Sequence, residues 1–213
     1  MKKLVKRTLG IKDHYISKIK DNGHEIDIYL DIIKGNHTIC SCCGGRMKVR
    51  DRLKERCWRH VPLWNIPVFL HYKPARVNCS TCGIRVESIP WSNGKSCISR
   101  PLSISIAVWA RQIPMDAVRR MFNVCWNVVY SSVKQMVDYG LSCRDVSDTF
   151  ILGIDEISRK KGHKYLTQIY DLASRKLLAN FEDRTYEGLK TFFEDLSKDC
   201  LLYTSDAADE EDS

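Results

Sequence analysis

The chain has 213 residues, 44% of them hydrophobic, a formal net charge of +8 and no run of eighteen apolar residues. That is enough for one large or two or three small domains, and it leaves no helical membrane span. Residues 200–213 hold five acids (Asp206, Asp209, Glu210, Glu211 and Asp212) and no Lys or Arg, so the body before them carries +13. The natural partner of so basic a body is a polyanion; the plainer reading is a soluble basic surface.

The N-terminal run MKKLVKRTLGIKDHY has basic residues but no apolar core behind them, so no export signal is expected. Ten cysteines in such a chain read as metal ligands and buried thiols rather than as a disulfide framework. The first element is a half-buried β-hairpin. Ile16 to Lys20 and the alternating Ile26, Ile28, Leu30 and Ile32 flank the turn signal Asp21-Asn22-Gly23-His24.

Two matching knuckles follow, Cys40-Ser41-Cys42-Cys43-Gly44 and Cys79-Ser80-Thr81-Cys82-Gly83. Two thiolates at C-x-x-C spacing reach one tetrahedral zinc from a single tight turn, which the glycine permits. Cys40, Cys43, Cys79 and Cys82 are therefore the expected ligands of a structural zinc. Strand-like segments at Met47 to Asp51, Cys57 to Val61 and Val68 to Val77, broken at Pro62 and Pro67, fill the gap and bring the knuckles together. Cys42 and Cys57 are spare thiols, either of which can replace a ligand. A closed site of four thiolates serves folding and display, not catalysis. The display surface is basic, with Arg46, Lys48, Arg50, Arg52, Lys54, Arg56 and Arg59 along its first strands, and Trp58 and Trp64 read as core.

Ile89 to Gly94 reads as a linker. Ser99 and Pro101 start a helix with Ile104, Ala107, Val108 and Arg111 on one face, and Pro114 opens a second over Met115 to Phe122. Asn123-Val124 makes a tight turn into a third helix, Cys125 to about Tyr139, which buries Trp126, Val129, Val133 and Val137 and stops at Gly140. Helices joined in this way form either a plain hairpin in a core or a helix-turn-helix. In the second reading Asn127, Tyr130, Ser131 and Lys134 face the major groove of DNA.

The last patterned stretch is ILGIDEISRKKGHKYLTQIYDLASRKLLANFE, from Ile151 to Glu182. It reads as three antiparallel strands, with Asp155 at the end of the first and a basic turn at Arg159 to His163 after it. A carboxylate at the rim of a sheet suits metal-dependent phosphoryl chemistry, although an Asp after an apolar run is more often a turn residue. Asp171 and Asp183 are read as turn residues.

The order of these parts resembles bacterial insertion-sequence transposases of the ISL-three family. The resemblance rests on the C-x-x-C-G pair, Pro90-Trp91, Val124-x-Trp126, Leu152-Gly153-Ile154-Asp155-Glu156 and Gly162-His163-Lys164-Tyr165, and it covers roughly residues 15 to 199. It implies an α+β, multidomain protein, with an N-terminal β-hairpin over 1–38 and a zinc-ribbon-like finger over 39–92. A helix-turn-helix over 98–140 and the start of a ribonuclease-H-like domain of the DDE type over 148–199 complete it. The finger and helices would bind double-stranded DNA at terminal inverted repeats. Asp155 would be the first of three carboxylates that hold magnesium or manganese for cutting and joining strands. Arg159, Lys160, Lys161 and Lys164 would approach phosphates near the cleavage site. A homo-oligomer in the bacterial cytoplasm, associated with the nucleoid, is the setting this implies.

The acidic segment from Cys200 onward departs from the pattern and is expected to be a non-native tail, with no fourth strand after a helix at Thr185 to Leu196. On that expectation the chain lacks two of the three carboxylates, binds DNA and does not cut it. The rival reading is a non-enzymatic zinc-finger and helix-turn-helix regulator, which explains Cys40 to Gly140 equally well and leaves Asp155 and its basic hairpin without a purpose.

Overall fold

In the computed structural model the described residues are all but 1, 10, 12, 34–36, 144–150, 161–163, 183–189, 191, 195–200 and 204–213. At 2, 4, 8, 159, 160, 164, 182 and 201–203 only the backbone is described. The protein mixes helices with several sheets in two compact units, Met1–Tyr139 and Gly140–Ser213.

The first unit opens with a short helix, α1 (Lys2–Thr8), and the expected hairpin of β1 (His14–Asp21) and β2 (Ile26–Ile32). Gly23 takes the left-handed conformation in the hairpin turn, at φ +81°. The strands β3 (Thr38–Ile39), β4 (Arg46–Met47) and β5 (Val49–Arg52) follow, then β6 (Arg56–Leu63), β7 (Ile66–Tyr72), β8 (Ala75–Cys79) and β9 (Gly83–Val86). The hairpin is not self-contained, because β2 also pairs in parallel with β7, giving a four-stranded sheet in the order β1-β2-β7-β6. A second sheet runs β5-β8-β9.

Alternation along β2 buries Ile26, Ile28, Leu30 and Ile32 against Leu70, Tyr72, Trp58 and Trp91. The strand expected over Val68 to Val77 breaks at Lys73-Pro74. Pro62 and Pro67 lie inside strands rather than at breaks, beside a register shift and ahead of the β2 ladder, where a missing N–H costs little. Trp64 and Asn65 join β6 to β7 with φ of 49° and 67°, the backbone of a two-residue hairpin turn. Trp58 belongs to the core as expected, whereas Trp64 stands 81% exposed on that turn.

The expected linker at Ile89 to Gly94 contributes two side chains to the core, while Pro90 and Gly94 are exposed. Trp91 is fully buried, edge-on to His14, Trp58 and Tyr72, and Ile89 is buried with it. Its Gly and Asn suggested a loop, but apolar burial of the neighbouring large side chains decides the placement.

Three helices follow: α2 (Arg100–Ala110), α3 (Met115–Phe122) and α4 (Trp126–Ser142). Ser99 caps α2, its hydroxyl accepting from Leu102 N, with Pro101 in the first turn. The buried face of α2 is Leu102, Ser103, Ile106 and Ala107, while Ile104 and Val108 point outward, so the expected face was turned by part of a turn. Asn123 ends α3 in the left-handed conformation, φ 47° and ψ 57°, as expected. Gly140 does not stop α4, which continues to Ser142. Val129 and Ser132 are its buried residues, and Trp126 and Val137 are about half exposed.

The second unit is a sheet in the order β12-β11-β10-β13, from β10 (Ile151–Lys160), β11 (Lys164–Asp171), β12 (Lys176–Glu182) and β13 (Leu201–Tyr203). The antiparallel order of the first three matches expectation. Two expectations change. A fourth strand exists: β13 pairs in parallel with β10, Ile151 with Leu201 through Gly153 with Tyr203, because this short apolar run can extend the edge of the sheet. Also, β10 continues to Lys160, so Asp155 lies within a strand, opposite Gln168. The core gathers Leu152, Ile169, Leu178 and Phe192. Asp171 accepts from Ala173 N at 3.0 Å, the turn role expected of it, and Asp183 lies outside the described residues.

Candidate metal centre and nucleic-acid interface

The two knuckles meet because β8 and β9 form a hairpin around the second one, while Cys40 at the first bridges to Glu87, just past β9. Gly44 and Gly83 sit at φ +71° and +73°, where a side chain would be strained, and so let each turn fold back on its cysteines. The ligand atoms of Cys40, Cys43, Cys79 and Cys82 all lie within 4.8 Å of one another, and the Cys43 and Cys79 sulfurs are 3.5 Å apart. Tetrahedral zinc with bonds of about 2.3 Å needs sulfurs roughly 3.8 Å apart, so the cluster fits such an ion. Among the described residues it is the group of Cys, His, Asp and Glu side chains able to hold one.

Backbone amides of Cys43 and Cys42 lower the Cys40 thiol below its usual range, and those of Cys82 and Thr81 bring Cys79 down to about 7. The first thiol of each knuckle is thus shifted toward its thiolate form. Cys42 is exposed and its thiol interacts with that of Cys82, which it pushes up. Cys57 is elsewhere, 4.0 Å from His71 Nε2 on the adjacent strand. Cys97, Cys125 and Cys143 are exposed, and Cys200 lies outside the described residues.

Much of the expected basic display surface is engaged within the protein. Arg52 donates to Asp31 and to the Lys73 carbonyl, and Arg56 lies over Trp58 and donates to the carbonyls of Gly94 and Ser96. Arg59 donates to the Asn123 carbonyl. Lys48 and Lys54 are exposed with no ion-pair partner among the described residues, and so is Arg85, which the sequence reading left out.

On α4, Asn127, Tyr130, Ser131 and Lys134 are all exposed. Their spacing of three and four residues places them on one side of the helix, opposite Val129 and Ser132. Lys134 is paired with Asp138 one turn on, at 3.0 Å.

In the second unit Asp155, Gln168 and Asn180 stand directly opposite one another across β10, β11 and β12, so they form one polar row on one face. The Tyr170 hydroxyl donates to Gln168 Oε1. Asp155 is exposed, two residues past the Gly153 at which the parallel pairing with β13 ends. The side chains of Arg159, Lys160, Lys161 and Lys164 lie outside the described residues.

Residues 152–204, from β10 past β13, match the family model described as transposase, of the DDE type of the ISL-three group. The chain is a relative of the insertion-sequence transposases. It is 26% identical over 199 residues to the transposase for insertion sequence element IS1001 of Bordetella parapertussis, covering 92% of this chain and 49% of that one. It is 30% identical over 178 residues to the transposase for insertion sequence element IS1557 of Mycobacterium tuberculosis, covering 80% of this chain and 40% of that one. The chain therefore spans less than half the length of these curated relatives. No solved structure matches it significantly. The family match reaches residue 204, past Cys200, where the composition changes.

Proposed function

We propose that the first unit binds double-stranded DNA at the terminal inverted repeats of an insertion sequence, and that the second begins the ribonuclease-H-like DDE domain of a transposase. The observation that carries this reading is the kinship to insertion-sequence transposases across 92% of the chain, which takes in both units. A regulator with no catalytic history accounts for the first unit alone.

In this reading α2, α3 and α4 form the helix-turn-helix. Helix α4 enters the major groove, where Asn127 and Lys134 can reach base edges and phosphates, while Tyr130 and Ser131 contact the backbone. Cys40, Cys43, Cys79 and Cys82 hold zinc, which contributes folding energy and no reaction step.

Asp155 is the first of the three DDE carboxylates. Magnesium or manganese, held by all three, would activate the attacking oxygen and stabilise the leaving one. No second carboxylate stands opposite Asp155 on β11 or β12, whose residues there are Gln168 and Asn180. The described residues therefore do not amount to a two-metal site, and this 213-residue chain is expected to bind DNA without cutting it. The complete transposase is expected to act as a homo-oligomer in the cytoplasm. None of the described helices is long and apolar enough to cross a membrane.

The test is to incubate the zinc-loaded chain with a labelled duplex of about 30 base pairs, with and without magnesium. Retarded but intact DNA supports the proposal. Cleavage that Asp155→Asn abolishes would mean the chain has a complete catalytic site, and absence of binding would remove the DNA-binding role.

A further inference from the structure

A continuous series of short bonds connects the four-cysteine cluster to the turn between α3 and α4. At the cluster, Cys40 bridges to Glu87 and Ser88 N donates to Ile39 O at 2.7 Å. The Glu87 carboxylate is buried, and it accepts from Ala75 N at 2.6 Å and from the Tyr72 hydroxyl at 2.5 Å, which ties the knuckle to β7 and β8. Strand β7 is laddered to β6 from Arg56–Tyr72 to His60–Val68.

Strand β6 in turn holds the helices. Arg59 N donates to Cys97 O at 2.9 Å, and Arg59 O accepts from Ser99 N at 2.8 Å. The adjacent His60 Nδ1 is 2.8 Å from the hydroxyl of Ser99, the cap of α2. The Arg59 guanidinium reaches the carbonyl of Asn123 at 2.7 Å, in the turn ahead of α4. Val61 packs into the helical core with Ile98 and Leu102, and Asn93 Nδ2 donates to Gln135 Oε1 on α4 at 2.9 Å. Bending between the cluster and α4 would break several of these bonds together, those of Glu87 and His60 being buried. Met1–Tyr139 is likewise one compact unit.

Exposed cations stand near the cysteine cluster and on α4. Lys48 lies between β4 and β5, Arg85 lies on β9 next to the second knuckle, and Lys134 lies on α4.

Given the DNA-binding reading above, on which this rests, we propose that the knuckle end and α4 engage one duplex as a single rigid body. The recognised DNA would then have two blocks held at one fixed spacing and helical phase. A flexible linker between finger and helices would instead tolerate variable spacing.

The experiment uses the full zinc-loaded chain and a pool of randomised 40-base-pair duplexes, enriched by repeated binding. The expected result is a site of two blocks at a single spacing. Inserting five base pairs between the blocks, about half a helical turn, should then weaken binding at least tenfold. Affinity within twofold of the original after the insertion would overturn the proposal, as would enrichment of a single block or binding with no enrichment; in each case DNA binding itself would stand. No binding of the pool at low salt would remove the DNA-binding reading and this proposal with it.

Discussion

The Arg59 guanidinium donates to the carbonyl oxygen of Asn123, 2.7 Å away and sixty-four residues along the chain. Asn123 is the left-handed residue that ends α3, so its carbonyl lies where helix geometry supplies no internal partner. The strand that packs the sheet core therefore also fixes the turn between two helices.

Replacing Arg59 with Ala should remove one partly exposed, charge-assisted bond and lower stability by about 1 kcal/mol, read as a fall in Tm. Arg59→Lys should recover part of the loss, because an ammonium can still reach a carbonyl. An Ala variant as stable as the parent would show that the turn holds itself.

The cysteine cluster predicts one zinc per chain by elemental analysis. Cys79→Ser should abolish that stoichiometry and, with it, much of the first unit's stability, whereas Cys42→Ser should leave one zinc bound. Equal loss in both variants would make Cys42 a true ligand.

His60 gives a pH dependence of defined sign. Burial lowers its pKa from 6.5 to about 4, and it faces the Ser99 hydroxyl, which also accepts from Leu102 N. The folded protein thus resists protonating a group that the unfolded chain protonates readily. Stability should be full above pH 6.5 and fall as pH drops toward 4, by up to about 3 kcal/mol. His60→Asn keeps a polar group near Ser99 and should flatten that part of the Tm profile; an unchanged slope would assign the effect to other groups.

The parts most legible in the sequence were those set by local chemistry. Asn-Gly gave the first hairpin, C-x-x-C-G gave the four cysteines that cluster, Ser99 with Pro101 gave the start of α2, and Asn123 gave the turn after α3. Features set by distant partners were not legible. Trp91 reads as part of a linker until His14, Trp58 and Tyr72 surround it. Arg52, Arg56 and Arg59 read as display charges until carbonyls and carboxylates from elsewhere in the chain claim them. The acidic composition after Cys200 masked the three residues of β13, which have a partner only once β10 is in place. Gly140 reads as a stop, yet a lone glycine costs a helix only about 1 kcal/mol, and α4 runs through it.

Asp138 offers a test of the α4 surface. It holds Lys134 in an exposed ion pair and would present a negative charge to any phosphate that Lys134 approaches. Asp138→Asn should therefore tighten duplex binding several-fold at low salt, while Lys134→Ala should weaken it. Weaker binding by Asp138→Asn would mean that the acid itself contacts the DNA.

The most direct test of the account is the affinity of the zinc-loaded chain for a labelled duplex of about 30 base pairs, measured by anisotropy at 50 mM and 200 mM salt. A polycationic DNA-binding unit should bind at the lower salt and lose at least about tenfold in affinity at the higher. Failure to bind at 50 mM salt, with zinc present and the fold intact, would contradict it.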